Sequence, residues 1–162
     1  TLHSADSRLR LIVAMAPKGL RTVDVGCDHG HVARALGAIG SERELHRLPK
    51  RTDISRVVAD GLSGHRGVEL AVVTGMGPRL ILDILERGPA PAQAVVHTPQ
   101  HSHALRSGLA NLGWTVVAEG WMGRWRVLTM LLPAATLNSF TVSIGGCWVC
   151  WCVGVLMRES YE

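Results

Sequence analysis

The sequence predicts an α/β protein built on a mostly parallel sheet that ends in an antiparallel hairpin. Short apolar runs alternate with segments of helical periodicity, which is the pattern of a parallel sheet with right-handed crossovers. The run 70–73 is continuously apolar, as in strands buried on both faces. The last two strand-like segments have a Gly-containing connection and no helix between them, which indicates a hairpin.

Composition is that of one globular domain, because 47% of the 162 residues are hydrophobic and 19% are charged. Lys and Arg outnumber Asp and Glu by 17 to 13, giving a formal net charge of +4. This balance mildly favours an anionic partner, and an ordinary basic protein is an equal alternative since no block of consecutive basic residues is present. No basic-then-apolar leader is visible at the printed start, so a cytoplasmic protein is predicted.

Local signals define the individual elements. The first helix, 6–16, carries apolar residues at helical spacing and ends at Pro17-Lys18-Gly19. Further helices are predicted at 31–36, 79–87 and 102–112, the last two closed by glycine. Strands are predicted at 22–26, 38–42, 56–60, 69–74, 94–97, 114–119 and 126–132.

The segment between the second and third strands is unusually short. Only 17 residues separate Glu42 from Asp60. A helix needs about 10 residues and a strand about five, so both do not fit together with their connections. We therefore expect a loop around Leu45–Pro49 in place of the helix, and a less covered sheet face between residues 43 and 55.

The turn after the first strand carries the strongest functional signal. It reads Asp24-Val25-Gly26-Cys27-Asp28-His29-Gly30 and leads into a helix whose N–H groups would face a ligand. Asp28 stands where a dinucleotide fingerprint has its middle glycine. Two carboxylates would repel a pyrophosphate and attract a cation, which favours S-adenosylmethionine (SAM) over NAD. A tight turn in some other α/β protein is the alternative.

Further polar or small residues follow the other predicted strands, and ligands of open α/β sheets bind beyond these strand ends. Glu42 lies 18 residues after Asp24, a spacing suited to a carboxylate that binds ribose hydroxyls. Asp60 and Gly61 are placed to contact an adenine, and Gly75-Met76-Gly77 allows a substrate to approach closely. Taken singly, each carboxylate is equally a solvated turn residue, or a helix N-cap for Asp60.

With these motifs in this order, the chain resembles the bacterial tRNA adenine-22 N1-methyltransferases, which are class I SAM-dependent enzymes. The resemblance covers roughly residues 7–132 and rests on four matching segments. They are Asp24–His29, Asp60–Leu62, Thr74–Gly77 with Leu80–Leu85, and Leu105-Arg106 with Gly113-Trp114 and Glu119. Pro78 departs from the family, which usually has a third glycine there.

The resemblance implies a Rossmann-like class I methyltransferase sheet within a domain spanning 1–133, with SAM as cofactor and tRNA as partner. It implies that Asp24, Gly26 and Asp28 hold the methionine end of SAM, Glu42 the ribose, and Asp60 with Gly61 the adenine. Gly75, Met76 and Gly77 would border the substrate.

The catalytic candidates are His29, Asp28 and Met76. Because SAM is already an activated electrophile, the enzyme mainly has to align adenine N1 with the methyl carbon. We expect His29 or Asp28 to contact the adenine amino group. A structural role for His29, bonded to backbone at the helix start, is an equal alternative. Candidates for phosphate contacts are Arg8, Arg10, Arg79, Arg106, Arg124 and Arg126.

The segment 134–162 is an apolar tail of unknown role. It has no charged residue from Ala134 to Met157, and Gly and polar residues count against the alternative of a membrane helix. Cys147, Cys150 and Cys152 lack the second half of a four-ligand zinc site, and the loop histidines His97, His101 and His103 form an equally weak pattern. No metal and no stable membrane association are therefore predicted.

Two alternatives from other functional classes remain open at this stage. One is a catalytically impaired methyltransferase-fold remnant that acts at most as an RNA-binding module, which the short segment 43–55 and the atypical tail favour. The other is an NAD-dependent oxidoreductase, against which Asp28 and the terminal hairpin count.

Overall fold

The computed structural model describes residues 7–50, 52–99, 103–122, 125–131 and 149–150. Its helices are α1 Ser7–Met15, α2 His31–Leu36, α3 Pro78–Arg87 and α4 His103–Asn111. Its strands are β1 Thr22–Val25, β2 Ile39–Glu42, β3 Arg56–Val58, β4 Leu70–Thr74, β5 Gln93–His97, β6 Thr115–Met122, β7 Trp125–Leu131 and β8 Val149–Cys150. Apart from β8, which was not predicted, these elements agree with the predicted ones to within a few residues at each end.

The described strands form one sheet in the order β3-β2-β1-β4-β5-β7-β6-β8. The first five strands pair in parallel, whereas β7 is antiparallel to both β5 and β6. This arrangement confirms the mostly parallel sheet and its closing hairpin. In the register, Val25 lies beside Ser41 on one side and Val73 on the other. The carboxyl ends of β1, β2 and β4 therefore meet at one edge of the sheet.

Alternating side chains of the central strands bury their two faces in two separate cores. Val23 and Val73 face the core that α3 and α4 cover, through Ile81, Leu85, Leu105 and Leu109 among others. Leu70 and Val72 face the other core, which α1 and α2 cover through Leu11, Ile12, Met15 and Val32. Burial of each aliphatic side chain of this size contributes about 1.5–3 kcal/mol, so the central strands form a rigid support for the loops at their ends.

No α-helix occurs between β2 and β3 in the described residues 43–50 and 52–55, which confirms the expected replacement. A single 3-10 turn, Leu45–Arg47, stands in its place. All three residues of β3 are exposed as a consequence, with Val57 at 37% and Val58 at 47%. The sheet face is therefore uncovered at this edge.

Of the apolar tail, the structure describes only β8, which pairs antiparallel with β6. The remainder of 134–162, with Cys147 and Cys152, lies outside the described residues, and so does the predicted domain boundary at residue 133. So does His101 in the loop before α4. In the described part of the chain, none of the helices has the length and apolar character needed to span a membrane.

Candidate active-site cleft

The turn after β1 is held against the end of β2 by backbone hydrogen bonds. The N–H groups of Gly26 and Cys27 both donate to the carbonyl of Ser41, at 2.8 Å and 3.2 Å. The N–H of Gly30 donates to the carbonyl of Cys27 at 2.7 Å and closes the turn. Two strand ends that are distant in sequence thus form one unit.

Asp28 is at the centre of this turn and adopts an uncommon backbone conformation. Its φ is 47°, the positive value that L side chains other than Asn and Asp rarely adopt, at a cost of about 1–3 kcal/mol. In that conformation its N–H donates to Oε1 of Glu42 at 2.7 Å. The Asp28 side chain itself is 81% exposed. Glu42 is thus fixed by the turn, while the Asp28 carboxylate projects from it.

Asp24 is buried beneath the turn and does not line the cleft. Its Oδ2 accepts the N–H of Ala33 in the first turn of α2 at 3.0 Å, so it ties α2 to β1. Burial raises the pKa of Asp24 from 3.8 to about 7; the Ala33 N–H opposes this shift and the charge of Glu42 adds to it. The Asp24 side chain does not line the cleft, so the predicted contact with a cofactor stays a prediction. In the structure, Asp24 anchors the start of α2 to β1.

Two further titratable side chains, those of His65 and Cys27, are buried in the same region. His65 lies in the connection between β3 and β4, and its Nε2 is 3.0 Å from Oγ of the buried Ser41. Burial lowers the pKa of His65, which favours the neutral imidazole. Burial also raises the pKa of Cys27 to about 12, with Asp24 and Glu42 adding to the shift, so this thiol is no nucleophile near neutral pH.

A cleft of about 830 Å³ opens at the joined strand ends. It contains six of the residues predicted to form the site, namely Gly26, Asp28, His29, Glu42, Gly75 and Met76. Thr74 and Leu80 extend its wall along β4 and α3. Asp28 and Glu42 place negative charge on the side of the cleft formed by the ends of β1 and β2, as expected for a cationic ligand, whereas Arg47 and Lys50 place positive charge elsewhere in its lining.

His29 reaches the cleft as an exposed side chain rather than as a buried structural residue. It is 79% exposed, and its Nε2 lies 3.8 Å from Oδ2 of Asp28. Its ring also makes an edge contact with His31, at 6.0 Å between centroids. Both contacts involve side chains, and a role of His29 towards a ligand stays a prediction.

Met76 packs directly on Gly26 across the cleft. A Cβ added to Gly26 would collide with Cε of Met76. Gly26 also has a φ of 70°, which disfavours any side chain there, and an added Cβ would displace the Met76 methyl group. The N–H of Gly75 donates to the carbonyl of His97 at 3.0 Å and fixes the base of the opposite turn.

Asp60 and Gly61 are not brought into this cleft. They line a separate cavity of about 130 Å³ together with Leu62, Ile84 and Arg87. Oδ1 of Asp60 lies 3.9 Å from Nε of Arg43, which is the residue after Glu42. Gly77, the third residue of the predicted Gly-Met-Gly border, precedes α3 as its N-cap, and Pro78 occupies the first helical position, where its missing N–H is no loss.

One wall of the cleft was not predicted from the sequence. It is formed by the segment that replaces the missing helix, through His46, Arg47, Leu48, Pro49 and Lys50. The sequence signal for this wall was the small number of residues between Glu42 and Asp60, since a connection that short has to pass beside the end of β2. Arg106, a predicted phosphate contact, instead pairs with the buried Glu119.

Among the described residues, no three His, Cys, Asp or Glu side chains are grouped to hold a metal ion.

Comparison with known proteins identifies one family and several similar structures. The family described as a methyltransferase domain matches residues 40–125, which is more than half of the chain. Comparison with curated protein sequences finds no match.

Among solved structures, three proteins from different bacteria show the same fold. TrmK of M. capricolum in complex with S-adenosyl-homocysteine is 13% identical with a TM-score of 0.69, over 81% of this chain and 70% of that one. Streptococcus pneumoniae Sp1610, a candidate tRNA (m1A22) methyltransferase bound to SAM, is 23% identical with a TM-score of 0.63, over 78% and 72%. The m1A22 tRNA methyltransferase TrmK of B. subtilis is 20% identical with a TM-score of 0.59, over 78% and 65%. With its sheet order, its cleft and the family match in agreement, the chain belongs to the methyltransferase-domain family.

Proposed function

We propose that this protein is a SAM-dependent methyltransferase that modifies adenine N1 in tRNA. The observation that carries the proposal is the assembly of Gly26, Asp28, Glu42 and Met76 around one cleft at the ends of β1, β2 and β4. Membership of the methyltransferase-domain family supports the reaction class. The structures that share the fold include tRNA (m1A22) methyltransferases bound to SAM or its product, which supports the cofactor and substrate.

The residues of the cleft fit SAM. Its sulfonium and ammonium groups suit the exposed carboxylate of Asp28, which lines the cleft together with Gly26 and Met76. Glu42 would accept hydrogen bonds from the ribose hydroxyls, with its position fixed by the Asp28 N–H. When bound, SAM supplies the electrophilic methyl group.

The protein's own residues then have to place the adenine and accommodate its change in charge. Adenine N1 lies on the pairing edge, so the base must be unpaired before it enters the cleft. Methylation makes the ring positive, which the neighbouring carboxylate of Asp28 would stabilise. His29, exposed beside Asp28, would contact the adenine amino group, and Met76 would border the ring. Because tRNA is the substrate, we place the reaction in the cytoplasm.

The first test is titration calorimetry of the full chain with SAM, using NAD as the competing cofactor. Micromolar SAM binding without NAD binding would support the proposal, and tRNA would then be assayed for N1-methyladenosine by nucleoside mass spectrometry. Binding of NAD in place of SAM would favour the oxidoreductase. A folded chain that binds neither would favour the remnant.

The role of His29 is tested by His29→Ala, with the exposed His103→Ala on α4 as matched control. If His29 assists proton or amino-group placement, turnover should fall about 100-fold or more while SAM affinity is retained. His103→Ala should leave turnover unchanged. A His29→Ala turnover within about threefold of wild type would show that this role is wrong.

Asp60 and Gly61 remain predicted adenine contacts, and the separate cavity in which they lie makes this the least supported assignment. Asp60→Asn would weaken SAM binding if Asp60 accepts from the adenine amino group. An unchanged SAM affinity would remove Asp60 from the site.

A further inference from the structure

A basic segment forms one wall of the cleft where the helix between β2 and β3 is missing. His46, Arg47 and Lys50 line the cleft, and all three residues are exposed. We call these three residues the basic rim. From Arg43 to Lys50, three permanently cationic side chains accompany a single carboxylate, that of Glu44. The short connection thus places positive charge beside the candidate active site.

The basic rim is held by hydrogen bonds at both ends. The N–H groups of Arg47 and Leu48 donate to the carbonyls of Glu44 and Leu45, at 3.0 Å and 3.2 Å, and close the 3-10 turn. The carbonyl of the buried Pro49 accepts from Nη1 of Arg56 on β3 at 2.7 Å. These hydrogen bonds order the backbone of the segment, so the ordering cost on binding falls mainly on the exposed side chains of the rim.

SAM carries no phosphate, and its one anionic group is the carboxylate of its methionine end, which the proposed binding mode places at the turn after β1 and not at the basic rim. The cationic groups of SAM match Asp28 in the same cleft. Glu44 balances part of the rim, since its Oε2 lies 3.3 Å from Nε2 of His46 and 3.7 Å from Nε of Arg47. The surplus of Arg47 and Lys50 over this one carboxylate therefore suits an anionic ligand other than the cofactor.

We propose that the basic rim binds the phosphodiester backbone of the RNA substrate next to the base that enters the cleft. This inference rests on the proposed function and deepens it by naming the residues that hold the RNA. Lys and Arg contacts to phosphates position a nucleic acid without reading its sequence. A dinucleotide phosphate is the less favoured ligand, because its pyrophosphate would lie beside the Asp28 carboxylate.

The test uses the full chain, a fluorescently labelled tRNA transcript and the double variant Arg47→Gln/Lys50→Gln. Its matched control is Lys18→Gln/Arg66→Gln, which removes two exposed cations from loops leading into β1 and β4, at the amino ends of the strands. Affinity is measured by fluorescence anisotropy between 50 and 300 mM salt, and SAM and NADP are titrated separately. The rim variant should lose at least about tenfold in RNA affinity, and its slope of log K against log salt should decrease by about one to two.

The control pair should retain the wild-type RNA affinity and slope within about twofold. Equal losses in both pairs would overturn the proposal, because they would reflect overall charge rather than a surface. A rim variant that loses more SAM affinity than RNA affinity would overturn it as well, since the rim would then belong to the cofactor subsite. NADP binding that depends on Arg47 and Lys50 would assign the rim to a nucleotide phosphate. If the wild-type chain binds SAM but no tRNA, the rim proposal fails while the cofactor assignment stands.

Discussion

At the scale of single residues, the cleft depends on a few residues whose backbone φ angles are positive. Gly26 and Asp28 both have positive φ, and the turn between them is joined to Ser41 and Glu42 by three N–H donors. Such strain persists only where surrounding contacts over-determine it, which is common at ligand sites. Substitutions here should therefore separate effects on ligand binding from effects on folding.

Gly26→Ala is expected to reduce SAM affinity at least about tenfold, because the new Cβ would collide with Met76 in the cleft. Gly37→Ala is the matched control. Gly37 has a similar φ of 64° but nothing within 4 Å of an added Cβ, so it carries the same backbone penalty without the collision. Both variants should lose about 1 kcal/mol of stability in denaturant titrations, whereas calorimetry should show the loss of SAM affinity in Gly26→Ala alone. Equal SAM affinities in the two variants would argue against a ligand beside Gly26.

Asp24 gives a prediction for pH dependence. Its folded pKa of about 7 lies above the unfolded value of 3.8, so the unfolded chain ionises first and the stability contribution is lost as pH rises through this window. Relative to Asp24→Asn, the free energy of unfolding of the wild type should fall by about 2–3 kcal/mol between pH 5 and pH 8. Urea titrations at several pH values measure this difference, and Glu86→Gln on the exposed face of α3 is the control. A constant difference between wild type and Asp24→Asn would mean that Asp24 is ionised throughout.

At the scale of elements, the main departure from a fully covered sheet is at β3. This strand pairs only with β2 among the described strands, and its three residues are exposed. By contrast, four of the five residues of β4 are buried, between cores on both faces. The two strands of one sheet should therefore differ strongly in local stability, because edges with little apolar cover open at low cost.

Amide hydrogen exchange tests this difference. The N–H of Ala59 donates to the carbonyl of Glu42 at 2.9 Å and reports the β2–β3 pairing. After correction for intrinsic rates, it should exchange at least about 100-fold faster than the amides of Val72 and Val73, equivalent to about 2.7 kcal/mol. Similar protection of the two strands would show that the β3 edge is covered in solution.

The same elements show what sequence patterns can predict here. The apolar run of β4 and the glycine-bounded helices were predicted correctly, because a buried strand and an amphipathic helix each leave a pattern of apolar residues within a short stretch of sequence. The cleft wall at 46–50 and the separate cavity of Asp60 were not predicted, because each depends on where a short irregular connection lies in space. The hydrogen bond of Asp24 with Ala33 was likewise not predicted, because it is a three-dimensional contact that no sequence spacing reveals.

At the scale of the whole molecule, the cleft and β8, the described part of the tail, lie at separate parts of the sheet. Every residue that lines the cleft precedes Ile81, and the cleft sits at β2, β1 and β4. The described part of the tail, β8, pairs with β6 at the far edge. The family match, 40–125, also ends before the tail begins. We therefore propose that 1–133 is the cofactor-binding domain.

A fragment comprising residues 1–133 should bind SAM with an affinity within about threefold of the full chain, since no cleft contact is removed. Circular dichroism would establish that the fragment is folded, and calorimetry would measure the affinity. A folded fragment that fails to bind SAM would assign the tail a part in forming the site.

The replacement of a helix by one 3-10 turn also bears on the timing of a catalytic cycle. This wall of the cleft contains a single turn, Leu45–Arg47, that has no buried residue and is tied to β3 through Pro49 and Arg56. Movement of this small unit involves few buried contacts, and loop motions of this size occur in nanoseconds to microseconds. Entry and exit of a nucleoside along this wall should therefore be fast compared with a typical turnover of about 10 per second, and would not limit the rate.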